Sequence, residues 1–208
     1  MSQFLSLHPK NPQARLINQT VDIIRAGGVI VYPTDSCYAL GCHLGDKDAI
    51  ERIRRIRQMA GDHNFTLVCR DLSELATYAK VDNIAFRLMK SLTPGAYTFI
   101  LKATHEVPRR LQHPKRKTIG LRVPDNVIAQ TLLEALGEPL ISTSFLLPHQ
   151  DHPETDPESI YQSVEKLVDV VLDGGPCGIE QTTVIDLLED VPQVLRYGKG
   201  IVDFLGAS

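Results

Sequence analysis

Apolar residues fall along this chain in two alternating rhythms: short β-branched runs, and stretches in which they recur three and four positions apart. After Asn11-Pro12, the positions Ile17, Val21 and Ile24 keep helical spacing as far as Gly27-Gly28, which predicts a helix stopped by that glycine pair. The following stretch, VIVYPTDSCYALGC over 29–42, predicts a buried strand. It empties through Pro33 into a polar loop of Thr34, Asp35 and Ser36 and closes on a break centred at Gly41. Asp46 opens a second helix with Ala49, Ile50, Ile53 and Ile56 on one face and Arg52, Arg54, Arg55 and Arg57 on the other. Acids at its start and arginines at its end also suit the helix macrodipole.

The same reading gives a polar connection over 58–64, a strand over 65–69, helices over 71–78 and 82–91, and a turn at Thr93-Pro94-Gly95. Strands follow over 97–102 and 118–123, then a helix from Pro124-Asp125 to Leu136 and a strand over 140–144. The proline- and acid-rich segment 147–157 reads as a loop, with the length and position to act as a lid. A helix over 158–166, strands over 168–172 and 183–187, a glycine-rich loop between them and a last strand near 194–197 complete the chain. Alternating strands and helices without a repeat or long linker predict one α/β domain over 1–208.

Composition changes this picture little. Apolar content of 43%, charged content of 23% and a net charge of -3 are ordinary for a globular protein, so a basic site has to be local. Cys37, Cys42, Cys69 and Cys177 show no CxxC pairing and read as reduced thiols. The start carries no charged segment followed by an apolar run, and no later stretch is long and apolar enough to span a membrane. The expectation is a soluble cytoplasmic protein with no membrane partner.

Candidate chemistry lies at the ends of strands. Three strand ends present hydroxyls: Thr34 and Ser36, Ser142 and Ser144, Thr182 and Thr183. With Arg57, Arg122 and Arg196 they make a basic, hydroxyl-rich set whose natural ligand is a phosphate or carboxylate, because guanidinium matches those groups bidentately. P-loop, GxGxxG and GxSxG patterns are missing. Metal-ligand spacing is not met by Cys37, Cys42 and His43, nor by His149, Asp151 and His152, so no bound metal is expected. The segment 108–117 is the most basic in the chain, with Arg109, Arg110, Lys115, Arg116 and Lys117. Such a loop is a solvated surface or, with Arg54 and Arg55, a patch for phosphates or RNA.

The stretches VYPTDSCYALGC, LTPGAYTFIL, TIGLRVPD, PLISTS, TTVIDLL and LRYG resemble, in order and spacing, successive motifs of the YrdC-type threonylcarbamoyl-AMP synthase family. The resemblance runs from about Leu16 to Gly198 and is strongest to the subgroup named for YciO. It implies a twisted, mixed, largely parallel open sheet flanked by helices, with a deep, positively lined concave groove. It further implies synthesis of threonylcarbamoyl-adenylate and pyrophosphate from L-threonine, bicarbonate and ATP with Mg²⁺, a step in tRNA modification, and an association with double-stranded RNA.

Residue by residue, the resemblance places Thr34 in the threonine-holding loop, Arg122 at the LRVP arginine, and Ser142 and Ser144 at the STS serines. Thr182 and Thr183 fall on the pair preceding VID, and Arg196 on the arginine of the closing LRPG. Arg57 and Ser144 fall in the two stretches that resemble the catalytic signature, where this chain departs from the family. KxRP reads Arg57-Gln58-Met59-Ala60, a lysine before the next strand is replaced by His63, and SxN reads Ser144-Phe145-Leu146. Lost donors to a charged oxygen cost roughly 1.5–3 kcal/mol each, so synthase activity is expected to be weak, changed or absent. Arg54 and Arg55 are the nearby cations that could substitute for the missing arginine, and a non-catalytic RNA-binding module is the alternative.

Overall fold

Five helices start on a side chain that accepts the backbone N–H of the third helical residue, as Asp and Asn do when they satisfy the open first turn. Asp46 takes Ala49 N–H at 2.8 Å, Asp71 takes Glu74 at 2.8 Å and Asp82 takes Ala85 at 2.8 Å. Asn126 takes Ala129 at 3.0 Å and Asp156 takes Ser159 at 2.9 Å. These define α2 (Lys47–Arg57), α3 (Leu72–Tyr78), α4 (Asn83–Leu92), α5 (Val127–Leu136) and α6 (Pro157–Val164); α1 is Ala14–Arg25. The structure, a computed structural model, describes residues 2–59 and 65–203. The expected connection beyond Met59, with His63 in it, lies outside the described residues.

Ten strands among the described residues form one open sheet. In chain order they are β1 (Gln3–Ser6), β2 (Ile30–Tyr32), β3 (Ala39–His43), β4 (Thr66–Val68), β5 (Tyr97–Lys102), β6 (Thr118–Arg122), β7 (Leu140–Ser144), β8 (Val170–Asp173), β9 (Thr183–Asp186) and β10 (Gln193–Arg196). In space the order is β1-β8-β2-β3-β7-β4-β6-β5-β9-β10. The sheet is mixed: β1/β8, β2/β8, β4/β6 and β5/β9 pair parallel, and β2/β3, β3/β7, β4/β7, β5/β6 and β9/β10 pair antiparallel.

Successive residues of a strand point to opposite faces, and the two faces here are covered unequally. One is buried under α2, α3, α4 and α6, whose Ile50, Ile53, Leu75, Met89, Ile160 and Val164 pack on Val31, Leu40, Leu67, Phe99, Leu121, Ile141 and Ile185. On the other face α1 and α5 bring Ile17, Val21, Ile24, Leu132 and Leu133 against Ile30, Val170 and Leu172. That second layer covers one side of the sheet and leaves the face of β4, β5, β6, β7 and β9 open.

Two strands were not expected. The pattern around Gly41 reads as a break, yet β3 lies in the middle of the sheet, buried between β2 and β7. Gly41 is there because the Tyr32 ring crosses it, at 2.9 Å from where a Cβ would stand. β1 is a short edge strand with exposed ends that carries little apolar signal.

Candidate functional site

A row of small residues runs across the open face. Gly41 is opposite Ser142, Ser142 opposite Thr66, and Thr66 beside Gly120. Larger side chains stand around this floor, and the result is a cavity of about 420 Å³. Its walls include Arg57 from the end of α2, Arg122 from the end of β6, Ser142 and Ser144 from β7, Thr182 before β9 and Arg196 from β10.

The two-residue period of a strand decides which expected residues arrive. Ser142 and Ser144 share a face and both line the cavity. The side chains of Thr182 and Thr183 point opposite ways, and only Thr182 lines the cavity. Thr182 lines it and lies 2.8 Å, hydroxyl to hydroxyl, from Thr98. Thr183 is fully buried and turned away; its hydroxyl donates to the Gly200 carbonyl at 2.6 Å and accepts the Gly198 N–H at 3.0 Å. Thr183 is therefore a structural pin for segment 198–200 and not a ligand group.

Thr34 and Asp35 hold Arg122. Thr34 donates to the Cys37 carbonyl at 2.6 Å and accepts from Arg122 Nη2 at 3.3 Å, while the same nitrogen donates to the Asp35 carboxylate. Arg122 and Asp35 are only 9% and 13% exposed at their side chains, a buried pair that closes the loop onto the strand. Arg122 Nε has no partner among the described residues, and neither has Arg57 Nε; both are buried. Buried guanidinium N–H groups without acceptors are uncommon in folded proteins; among the described residues Arg54 Nε is a third, away from the cavity, while Arg57 and Arg122 line it together.

Arg57 donates through Nη1 to the Leu146 carbonyl, so the end of α2 is tied to the segment after β7. Burial lowers its pKa from the usual arginine value, although a guanidinium stays charged at neutral pH. Arg196 differs from the bidentate anion binder expected of it. Nε and Nη2 donate to the Thr182 carbonyl at 3.1 and 3.0 Å, Nη2 also to the Thr182 hydroxyl at 3.2 Å, and Nη1 to Gln181 Oε1 at 2.7 Å. Four of its five N–H groups are thus engaged by protein, and partial burial of the head lowers its pKa.

Tyr32, itself outside the lining, braces the floor residue Ser142. Their hydroxyls are 2.8 Å apart, and Ser142 donates to the Leu40 carbonyl at 2.8 Å. Burial raises the Tyr32 pKa to about 12, with the Ser142 hydrogen bond acting in the opposite sense. Neither Tyr32 nor Thr98 stands out in the sequence, since β-branched and aromatic residues in strands read as packing. The small floor residues Thr66 and Gly120 are equally silent.

The remaining candidates lie elsewhere. Arg54 pairs with Glu51 at 3.2 Å and stands 5.5 Å from the centre of the Phe65 ring. Arg55 is exposed and borders a separate groove of about 590 Å³ with Arg52, Lys166, Leu147 and Leu167. Neither lines the cavity. Met59 is half-buried against the core. Arg109, Arg110, Lys115, Arg116 and Lys117 are exposed; Arg110 donates to the Gly45 carbonyl at 2.9 Å and Arg116 meets Asp186 at 2.5 Å. Lys117 precedes β6 and Arg122 ends it, so the basic loop and Arg122 lie at opposite ends of that strand, and none of the five basic residues lines the cavity. Asp151 and His152, from the loop read as a lid, border an outer pocket that reaches Arg196 and Tyr197.

Among the described residues no group of three or more His, Cys, Asp or Glu is placed to hold a metal, and all four cysteines are free. No helix among them is long and apolar enough to cross a membrane.

An open mixed sheet whose uncovered face gathers arginines and hydroxyls defines an α/β domain with a basic, hydroxyl-lined cavity. The chain belongs to the Sua5/YciO/YrdC family: the family model, described as telomere recombination, matches residues 22–198. It is 65% identical over 202 residues to the protein YciO of Escherichia coli (strain K12), covering 97% of this chain and 98% of that one. The crystal structure of E. coli YciO superposes with a TM-score of 0.93 over the same share of each chain. A threonylcarbamoyl-AMP synthase of Vibrio vulnificus (strain YJ016) is 29% identical over 161 residues, 76% of this chain and 86% of the relative. The structure of P. abyssi Sua5 complexed with L-threonine is similar with a TM-score of 0.87 and 26% identity, over 95% of this chain and 58% of that one.

Proposed function

We propose that the cavity is a nucleotide and small-acceptor site of the threonylcarbamoyl-AMP synthase type, working in the cytoplasm at low or altered synthase activity. In this reading L-threonine or a similar amino acid sits at Arg122, which Thr34 holds from outside the cavity lining. ATP enters with Mg²⁺ and directs its phosphates to Arg57, Ser144 and Thr182. The observation that carries it is the pair of buried, unpartnered guanidinium nitrogens, Arg57 Nε and Arg122 Nε, on side chains lining one hydroxyl-rich cavity. The likeness to a synthase and to a threonine-bound Sua5 supports the same ligand class.

The chemistry such a site performs needs no covalent enzyme intermediate. The residues align a carbamate oxygen on the α-phosphate and stabilise charge as pyrophosphate leaves. Mg²⁺ would enter with the phosphates of ATP and offset their charge, and Asp35, beside Arg122, is committed to that arginine. The test is pyrophosphate release by purified protein given ATP, bicarbonate and each amino acid in turn. Release above blank with threonine or another acceptor is expected, and none with any acceptor refutes the catalytic part.

A second reading rests on the exposed basic loop at the other end of β6. There Arg109, Arg110, Lys115, Arg116 and Lys117 would take double-stranded RNA or tRNA as a patch for phosphates. It predicts binding that falls steeply with salt, and that weakens when Lys115 and Lys117 are both changed to Glu. Affinity no greater than that of an acidic control protein rejects it.

A further inference from the structure

We propose that Lys199, which lies beside the cavity next to its lining residue Gln181, is a ligand-binding residue, the cation that meets the second phosphoryl group of a diphosphate-bearing ligand. The inference rests on the nucleotide reading of the site and names a residue that none of the matched motifs contains.

The backbone around Lys199 is fixed from both sides. Thr183 accepts the Gly198 N–H and donates to the Gly200 carbonyl, and the Lys199 N–H donates to the Gln181 carbonyl at 2.9 Å. A Cβ on Gly198 would stand 2.3 Å from the Gln181 oxygen, and one on Gly200 2.4 Å from the Tyr97 ring. Both neighbours of Lys199 are glycines because only glycine permits that approach. What remains free is the lysine side chain.

That side chain reaches the loop that holds Arg122. Nζ donates to the backbone carbonyl of Asp35, in the loop whose Thr34 hydroxyl and Asp35 carboxylate hold Arg122. Lys199 is exposed and has no acidic partner among the described residues. An ammonium carries three N–H donors, so a neutral carbonyl leaves its charge unbalanced and most of its donors unused.

The supply of donors around the cavity explains why such a cation matters. Arg122 is offset by Asp35, Arg196 has given four N–H groups to Gln181 and Thr182, and Met59 offers none. Arg57 can serve one phosphoryl group, and the free edge of Arg122 is left for the carboxylate of the acceptor. A second phosphoryl needs another cation, and a compact ammonium on a flexible stem can leave the Asp35 carbonyl to follow it.

The test compares inorganic phosphate with inorganic pyrophosphate by titration calorimetry on the full chain, for wild type, Lys199→Met and Lys199→Arg. Lys199→Met is expected to weaken pyrophosphate binding on the order of tenfold and to change phosphate binding by less than about twofold. Lys199→Arg should restore most of the loss. The substitution is at an exposed side chain, and unchanged thermal unfolding without ligand will verify the fold. Equal pyrophosphate affinity in Lys199→Met and wild type, or equal losses for both ions, overturns the role of Lys199 while leaving the cavity a phosphate site. If wild type binds neither ion, the nucleotide reading fails and this inference with it.

Discussion

Arg122 and Asp35 face each other in a nearly dry pair, with Nη2 of the arginine shared between the Asp35 carboxylate and the Thr34 hydroxyl. The aspartate thereby orients the guanidinium and also cancels part of the charge an anionic ligand would meet.

Asp35→Asn separates those two effects. The amide keeps an oxygen for Arg122 but gives up the charge, so the folded protein should lose about 1–3 kcal/mol of stability in urea titrations. Inorganic phosphate should bind more tightly, on the order of tenfold, because a like charge has left the site. Weaker phosphate binding in the variant would mean that orientation of Arg122 outweighs neutralisation.

Alkaline pH should destabilise the fold in a window set by its buried acids. Burial raises Tyr32 from 10.0 to about 12 and Cys42 from 9.0 to about 12. Between those values the unfolded chain has released the proton while the folded chain still holds it, so ionisation favours unfolding as pH rises. The stability these groups provide is intact below pH 9 and is lost progressively from there to about pH 12. Each group adds a slope of at most about 1.4 kcal/mol per pH unit. Urea midpoints measured from pH 8 upward should fall accordingly, and Tyr32→Phe should flatten the part above pH 10. An unchanged slope in that variant would remove Tyr32 from the account.

Gly198→Ala addresses the segment that Thr183 pins. The added methyl would lie 2.3 Å from the Gln181 carbonyl oxygen and 2.6 Å from the Thr182 carbonyl carbon, both backbone atoms that cannot turn aside. The strand end must shift, at a cost of about 1–3 kcal/mol, and Arg196 and Lys199 shift with it. Gly137→Ala is the contrast: its φ of +77° is strained for alanine, but nothing lies within 4 Å of the new Cβ. Gly137→Ala should lower stability by about 1 kcal/mol and leave phosphate binding alone, whereas Gly198→Ala should weaken both. Normal phosphate binding in Gly198→Ala would count against coupling between this segment and the cavity.

The contrast between these positions shows what the sequence displays and what it hides. Period-two spacing makes Ser142 and Ser144 share a face, so the spacing of the STS triplet is enough to put both on one wall. The same rule forbids Thr182 and Thr183 from acting together, and the TT pair reads as two ligands only if the rule is not applied. β3 is hidden because Gly41 reads as a breaker, when its lack of a side chain is what lets Tyr32 cross to Ser142. Lys199 is hidden for a related reason: its placement depends on hydrogen bonds from Thr183 and Gln181, residues distant in sequence that only the fold brings beside it.

Met59 and Leu146 lie where family resemblance leads one to expect an arginine and an asparagine. Met59 packs half-buried on the core, and the backbone of Leu146 takes up Arg57 in place of a ligand. The double substitution Met59→Arg with Leu146→Asn puts two donors back beside Arg57 without touching Thr34, Arg122 or Ser142. At roughly 1.5–3 kcal/mol for each donor to a charged oxygen, transition-state binding should improve by about 3–6 kcal/mol, which is about two to four powers of ten in rate. Loss of the Met59 packing should cost about 1 kcal/mol of stability, a change the urea midpoint will register independently of activity. Pyrophosphate release with ATP, bicarbonate and threonine should therefore rise steeply in the double variant and only partly in either single one, because the two donors act on one transferring group. A folded double variant no faster than wild type would show that these two positions are not what limits the chemistry.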